Sequence, residues 1–264
     1  MSKINSIIAI TWQKALTYRF TITSYRIGEI VEIIFLVAMW SALYRGREII
    51  NGYTLPQILT YIIIGNLIGL ITRNFMPEIV AREIKDGTLS LFLVKPITYF
   101  RYAFIREFGR VTLPFCISLV TQFTLILFFW NKLLLTAHIA TLAVLILIVA
   151  VAFVSELLLG YLIGLIAFWT TEVDGLYATI DRLRKFLSGG YFPLSLLPAL
   201  YIKISFALPF AYSFFVPTQL YLGKISITEA LTGIITQLVW ILILYCIILF
   251  VWHRGIRRYE GVGI

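Results

Sequence analysis

The feature that most constrains this chain is the stretch at residues 139–169, which contains a single charged side chain, Glu156. A helix needs roughly 20 apolar residues to cross about 30 Å of hydrocarbon, and this stretch exceeds that length. Further apolar stretches occur at residues 30–44, 56–71, 111–130, 176–192 and 229–252. Hydrophobic residues make up 60% of the chain and charged residues 13%, which is not the composition of a water-soluble domain. We therefore predict an all-α polytopic membrane protein with six transmembrane helices.

The Lys and Arg side chains are distributed unequally between the segments that flank these spans. If the N-terminus is inside, seventeen of the 22 fall on the inner side and five on the outer side. Basic residues near the ends of spans stay in the cytoplasm. This distribution predicts a multi-pass protein of the cell inner (plasma) membrane with both termini cytoplasmic. The net charge is +9, but no dense basic stripe is present, so we expect contact with the lipid bilayer and not with nucleic acid.

Two segments are predicted to lie at the membrane surfaces. Residues 1–26 place apolar side chains at helical spacing among basic and amide side chains, which favours a helix in the inner interface. An ordinary basic flank is the alternative. Residues 193–217 are apolar but broken by Pro198 and Pro209, which favours short re-entrant helices in the outer leaflet. Because exposed irregular backbone is not tolerated in lipid, this segment must pack against protein or line a cavity.

The segment at residues 77–96 is predicted to be a cytoplasmic helix–turn–helix. Pro77 can open a helix, and Lys85 followed by Gly87 is typical of a helix C-terminus. A solvated loop that only reverses the chain is the alternative. The segment is too apolar for a free loop, so we expect it to lie against the membrane or a partner.

Small and polar residues mark helix faces inside the bilayer. Glu156, Gly160 and Gly164 recur every four positions and so share one face, which we expect to meet another helix. The second span has the same small-residue spacing beside Asn66. A carboxylate at the depth of Glu156 costs about 2.5–3.5 kcal/mol on insertion scales. Glu156 therefore either bonds to the neighbouring helix or belongs to a substrate pathway.

Several functional motifs are missing from the sequence. It contains no phosphate-binding loop, no cluster of metal ligands and no serine nucleophile motif. We expect no catalytic, cofactor or metal site in this chain. Taken in order, the interfacial helix, residues 82–89 with Pro96, and the proline-broken outer segment resemble the membrane subunits of ABC transporters of the ABC-2 class, or type-2 exporters. The resemblance covers nearly the whole chain and fits the small bacterial six-span permeases that pair with a separate ATPase.

This resemblance implies that separate ATPase subunits bind ATP and Mg, and that the chain pairs with a second permease chain, identical or related. It implies export of a hydrophobic or amphipathic substrate by alternating access. By the same resemblance, the residues that couple the chain to the ATPase are Arg82, Glu83, Lys85, Asp86 and Gly87. Glu83 is the leading contact, and a helix cap or an intramolecular ion pair is the alternative for it.

Two other functions fit a chain of this kind. An ion-coupled secondary transporter would use Glu156 as a proton site, although we see no inverted repeat between the two halves. A membrane scaffold or sensor would not transport at all. Neither alternative explains a charged amphipathic element between the second and third spans as naturally.

Overall fold

The structure of the protein is a computed structural model that describes residues 3–17, 19–135, 138–170 and 174–259. Nearly all of its regular structure is helical. The described residues form twelve α-helices, which are α1 (Lys3–Thr17), α2 (Arg19–Leu43), α3 (Leu55–Thr72), α4 (Met76–Lys85), α5 (Ser90–Leu93), α6 (Tyr99–Phe128), α7 (Ile139–Leu165), α8 (Asp174–Ser188), α9 (Ala199–Ala207), α10 (Phe210–Ser213), α11 (Phe215–Tyr221) and α12 (Ile227–Ile256). The all-α prediction is confirmed.

Four helical segments are long and apolar enough to cross a membrane. They are α3 together with α4, α6, α7 with the 3-10 turn that follows it, and α12. They correspond to the predicted spans at residues 56–71, 111–130, 139–169 and 229–252. Within the described residues, α2 and α8 do not meet the same standard of length and composition. The polytopic membrane architecture is therefore confirmed, and the count of six spans stays a prediction.

Helix α8 differs most from its predicted span at residues 176–192. It has 15 residues, which makes it about 22 Å long, and it ends at Ser188. Gly189 follows with φ +82, a left-handed backbone that glycine adopts without strain and that stops the helix. The helix also carries Asp181, Arg182 and Arg184 within its length. Its described residues are therefore fewer and more polar than the roughly 20 apolar residues that a span needs.

A small antiparallel hairpin joins α2 to α3. Its strands are β1 (Ile49–Ile50) and β2 (Tyr53–Thr54), with Ile50 opposite Tyr53. Asn51 and Gly52, which form the turn, both have positive φ, as a two-residue type I′ turn requires. The Tyr53 hydroxyl contacts Ser195 at 2.9 Å and accepts a hydrogen bond from Gln219 at 2.8 Å. The hairpin is thereby tied to the segment that follows α8.

Short helices fill residues 193–217, as the prolines predict. A 3-10 turn at Leu194–Leu196 is followed by α9 and α10, which begin directly after Pro198 and Pro209. Helix α11 is buried along its whole length and packs against α3, α7 and α12. The segment therefore packs against protein, and its depth in the outer leaflet stays a prediction.

Helix α1 packs along α6. The Trp12 indole donates hydrogen bonds to the Gly109 carbonyl at 2.9 Å and to the Thr112 hydroxyl at 3.0 Å. The backbone of Ile8 approaches Gly109 so closely that a Cβ there would lie 3.2 Å from it. Residues 3–17 are therefore helical and attached to the bundle, and the placement of residues 1–26 in the inner interface stays a prediction.

Candidate functional site

Helix α4, which lies in the predicted coupling segment, packs one face tightly against α7. Met76, Val80, Ala81 and Ile84 are all buried on that face. A Cβ added to Gly164 on α7 would lie 2.6 Å from the Val80 Cβ and 3.1 Å from the Pro77 carbonyl oxygen. A Cβ added to Gly160, one turn earlier, would collide with the Asn74 side chain and lie 3.2 Å from the Met76 Cβ. The small-residue face of α7 thus meets α4, because only glycine lets the two backbones approach this closely.

Glu83 points into the protein and is bound by α6. Its two carboxylate oxygens accept from the Arg106 guanidinium and from the Tyr99 hydroxyl, both at 2.5 Å. The side chains of Glu83 and Arg106 are only 16% and 12% exposed. The structure therefore places Glu83 in the intramolecular ion pair that was its alternative role, and not on the outer surface of α4.

The opposite face of α4 is open. Arg82, Lys85 and Asp86 are exposed, and they alternate with buried residues in the manner of an amphipathic helix. Gly87 follows with φ +72, which turns the chain into α5 (Ser90–Leu93). Three of the five predicted coupling residues are thus exposed, whereas Glu83 is bound within the protein and Gly87 is buried.

Residues 73–75 form the break between α3 and α4, and each of them bonds to a different helix. We call them the hinge. Arg73 pairs with Glu29 of α2 at 3.2 Å. The Asn74 amide donates to the backbone carbonyl of Glu156 on α7 at 3.1 Å. The Phe75 backbone N–H donates to the Glu107 carboxylate of α6 at 2.7 Å. A displacement of α4 would therefore act on contacts with α2, α6 and α7 at the same time.

Glu156 forms an ion pair with α8. Its carboxylate lies 3.3 Å from an Arg184 nitrogen, and its side chain is 5% exposed. A second nitrogen of Arg184 pairs with Asp181, three residues earlier on α8, at 2.8 Å. Of the two roles that the sequence leaves open for Glu156, the structure supplies a bond to a neighbouring helix.

A cleft opens between α2, α3, α8 and α10, next to this ion pair. Asn66 lies on its wall, and the other polar side chains that line it include Glu29, Glu32, Thr72, Arg73, Asp181, Arg184, Lys185, Ser188 and Ser213. Glu156 reaches the cleft only through Arg184, and the two glycines of α7 face α4 instead. Within the described residues, no group of three or more His, Cys, Asp or Glu side chains could hold a metal ion.

Comparison with models of known protein families identifies the family of this chain. The family model described as ABC-2 family transporter protein matches residues 29–263. The chain belongs to the ABC-2 transporter family. It is thus a membrane permease subunit of an ABC transporter, as the order of its segments predicts. No significant match was found among curated proteins or among solved structures.

The structure of this ABC-2 permease adds site residues that sequence patterns do not indicate. Arg106 and Tyr99 bind Glu83 from 23 and 16 positions away in the chain. Arg184 is the partner of Glu156. The sequence does not indicate this contact, because the spacing of Arg184 from Asp181 already accounts for Arg184 by a pair within α8. Glu107 is fully buried and lies in the part of α6 that precedes the predicted span at residues 111–130. No apolar stretch surrounds Glu107 in the sequence, because Arg101, Arg106 and Arg110 lie near it, so only the packing shows that it is buried.

Proposed function

We propose that this ABC-2 permease exports a hydrophobic or amphipathic substrate, driven by ATP hydrolysis on separate ATPase subunits. The chain itself has no catalytic role, and ATP and Mg would bind to the partner. A second permease chain, identical or related, would complete the pathway in the cell inner membrane. Both termini and the α4–α5 segment would then lie on the cytoplasmic side, where the ATPase is.

One observation carries the proposal, namely the division of α4 into an exposed charged face and a buried bonded face. Arg82, Lys85 and Asp86 are available to a partner, while Glu83 and the hinge tie α4 to the bundle. A surface helix with only one of these properties would either bind a partner or support the fold. A helix with both can receive a movement and pass it on.

Transmission from α4 would follow two bonded routes. The Glu83–Arg106 pair connects the C-terminal end of α4 to α6, and the hinge connects its N-terminal end to α2 and α7. The Arg73–Glu29 pair lies on the cleft wall. Motion of α4 would therefore change the cleft, which we propose as part of the substrate pathway.

The ion-coupled alternative is supported less well. It would require Glu156 to take up and release a proton in contact with solvent. This carboxylate is 5% exposed and already paired with Arg184, which gives it a structural role.

Charge reversal on the exposed face tests the proposal. Arg82→Glu together with Lys85→Glu should lower co-purification of the ATPase with the tagged permease by at least about tenfold. Reversing these two charges places like charges opposite each other in the proposed interface, which is unfavourable. The permease alone should remain folded, since both side chains are exposed. The amount of ATPase retained per permease gives the measurement.

The matched control is Lys203→Glu on α9, an exposed cation on the predicted outer side. It should leave the yield of the complex unchanged. Equal yields of complex from the control and from the α4 double variant would contradict the assignment of the docking face.

A further inference from the structure

The cleft has a charged end and an apolar end. Along α2, the charged lining residues Glu29 and Glu32 precede the apolar ones, and along α3 the order is reversed, so that Arg73 comes last. Because the two helices run in opposite directions, their charged residues meet at the predicted cytoplasmic end. The apolar wall beyond this end includes Ile33, Leu36, Ile62, Leu70 and Phe214.

Most charges at the charged end are already paired within the protein. The two oxygens of Glu29 are bound by Arg26 at 2.5 Å and by Arg73 at 3.2 Å. Arg184 uses its two terminal nitrogens for Glu156 and Asp181. These pairs hold the wall together, and their charges cancel.

Two lining charges form no ion pair within the described residues, and they have opposite signs. Glu32 on α2 is exposed, and Lys185 on α8 is half-buried. Both line the cleft, Glu32 one turn after Glu29 on α2 and Lys185 directly after Arg184 on α8, which places them at the same end. The cleft therefore offers a ligand one anionic and one cationic partner.

We propose that the cleft binds an amphiphile with a dipolar headgroup. Its anionic group pairs with Lys185, its cationic group pairs with Glu32, and its hydrocarbon chain lies on the apolar wall. A headgroup with one charge would pair with only one of the two side chains, whereas a dipolar headgroup forms a charge-assisted bond with each of them. The inference deepens the proposed function, since it names the substrate class of the proposed pathway.

Competition binding on the purified permease tests the headgroup. A fluorescent single-chain phosphocholine in maltoside micelles serves as the probe, and the competitors are dodecylphosphocholine, dodecyl phosphate and dodecyltrimethylammonium. The dipolar competitor should displace the probe about tenfold better than either singly charged one, because it gains one more charge-assisted bond. Equal displacement by all three would overturn the proposal.

Single substitutions test the two side chains separately and with opposite signs. Lys185→Ala should shift the preference toward dodecyltrimethylammonium, and Glu32→Ala should shift it toward dodecyl phosphate. The controls are Arg182→Ala on the same helix and Glu48→Ala directly before β1, both exposed and neither on the cleft wall. Loss of all binding without a change in preference would count against the assignment. If an alanine variant does not fold, Lys185→Met and Glu32→Gln preserve size and give the same contrast.

This assay requires no ATPase, so its outcome is separate from that of the proposed function. Binding of dipolar amphiphiles by a permease that assembles with no ATPase would contradict the export mechanism and leave this inference standing. Assembly with an ATPase but no headgroup preference would contradict this inference and leave the export mechanism standing.

Discussion

Replacing Arg184 by alanine is expected to destabilise the permease by about 3–5 kcal/mol, the effect typical of removing one partner from a buried ion pair. The variant leaves the carboxylate of Glu156 at 5% exposure with no cation beside it. Asp181 also loses its partner, but its side chain is 27% exposed and can be hydrated. Thermal or denaturant unfolding of the purified permease in detergent gives the measurement.

A double variant separates the ion pair from simple loss of packing. Arg184→Met with Glu156→Gln removes both charges and keeps both volumes, so it should recover most of the stability lost in Arg184→Ala. Arg182→Ala, an exposed neighbour on α8, should change the free energy of unfolding by less than about 0.5 kcal/mol. A loss below about 1 kcal/mol for Arg184→Ala would show that the pair does not hold α7 and α8 together.

Glu83→Ala is expected to uncouple the complex without dissociating it. The substitution frees the C-terminal end of α4 from Arg106 and Tyr99, but it leaves Arg82, Lys85 and Asp86 in place. Substrate-stimulated ATPase activity should fall by about tenfold, which corresponds to about 1.4 kcal/mol of lost coupling. The yield of co-purified ATPase should stay within about twofold of the wild type. A loss of stimulation without a loss of binding would show that the substitution affects the transmission of motion and not the docking of the ATPase.

A charge exchange provides the control for this variant. Glu83→Arg with Arg106→Glu rebuilds the ion pair in reverse and should restore a large part of the stimulation. Glu48→Ala, which removes an exposed carboxylate from the segment between α2 and β1, should have no effect. Unchanged stimulation in Glu83→Ala would show that the α4–α6 pair does not transmit motion.

Local signals in the sequence predict much of this fold. The bounds of α4 follow from Pro77 in its first turn and from Gly87 after its end. The breaks after Pro198 and Pro209 follow equally from the loss of a backbone donor at proline. Each of these features depends on residues within one or two turns, which is the range over which backbone preferences act.

The C-terminal end of the fifth predicted span, at residue 192, shows where a local signal misleads. Hydropathy continues past Gly189 because Tyr191 and Phe192 are apolar, so the apolar stretch extends beyond the helix. The helix ends at Ser188 because Gly189 is left-handed and its carbonyl accepts a hydrogen bond from Tyr61 at 2.6 Å. Apolar composition there thus predicts neither the secondary structure nor the burial of Tyr191, which is 37% exposed.

The candidate site depends on contacts between distant parts of the chain, which no spacing rule encodes. The sequence indicates that Gly160 and Gly164 meet a helix, but it does not say that the helix is α4. It likewise leaves the direction of Glu83 open, because its partners Tyr99 and Arg106 lie on α6. The division of α4 into two faces therefore emerges only from the packing.

The most direct test of the account is photo-crosslinking from the exposed face of α4. A photoreactive amino acid placed at Lys85 in the assembled complex should yield an adduct between the permease and the ATPase, because we propose that this face contacts the ATPase on the cytoplasmic side. The same amino acid at Lys203 on α9 should yield none. An ATPase adduct from position 203 and none from position 85 would contradict both the orientation of the chain and the role of α4.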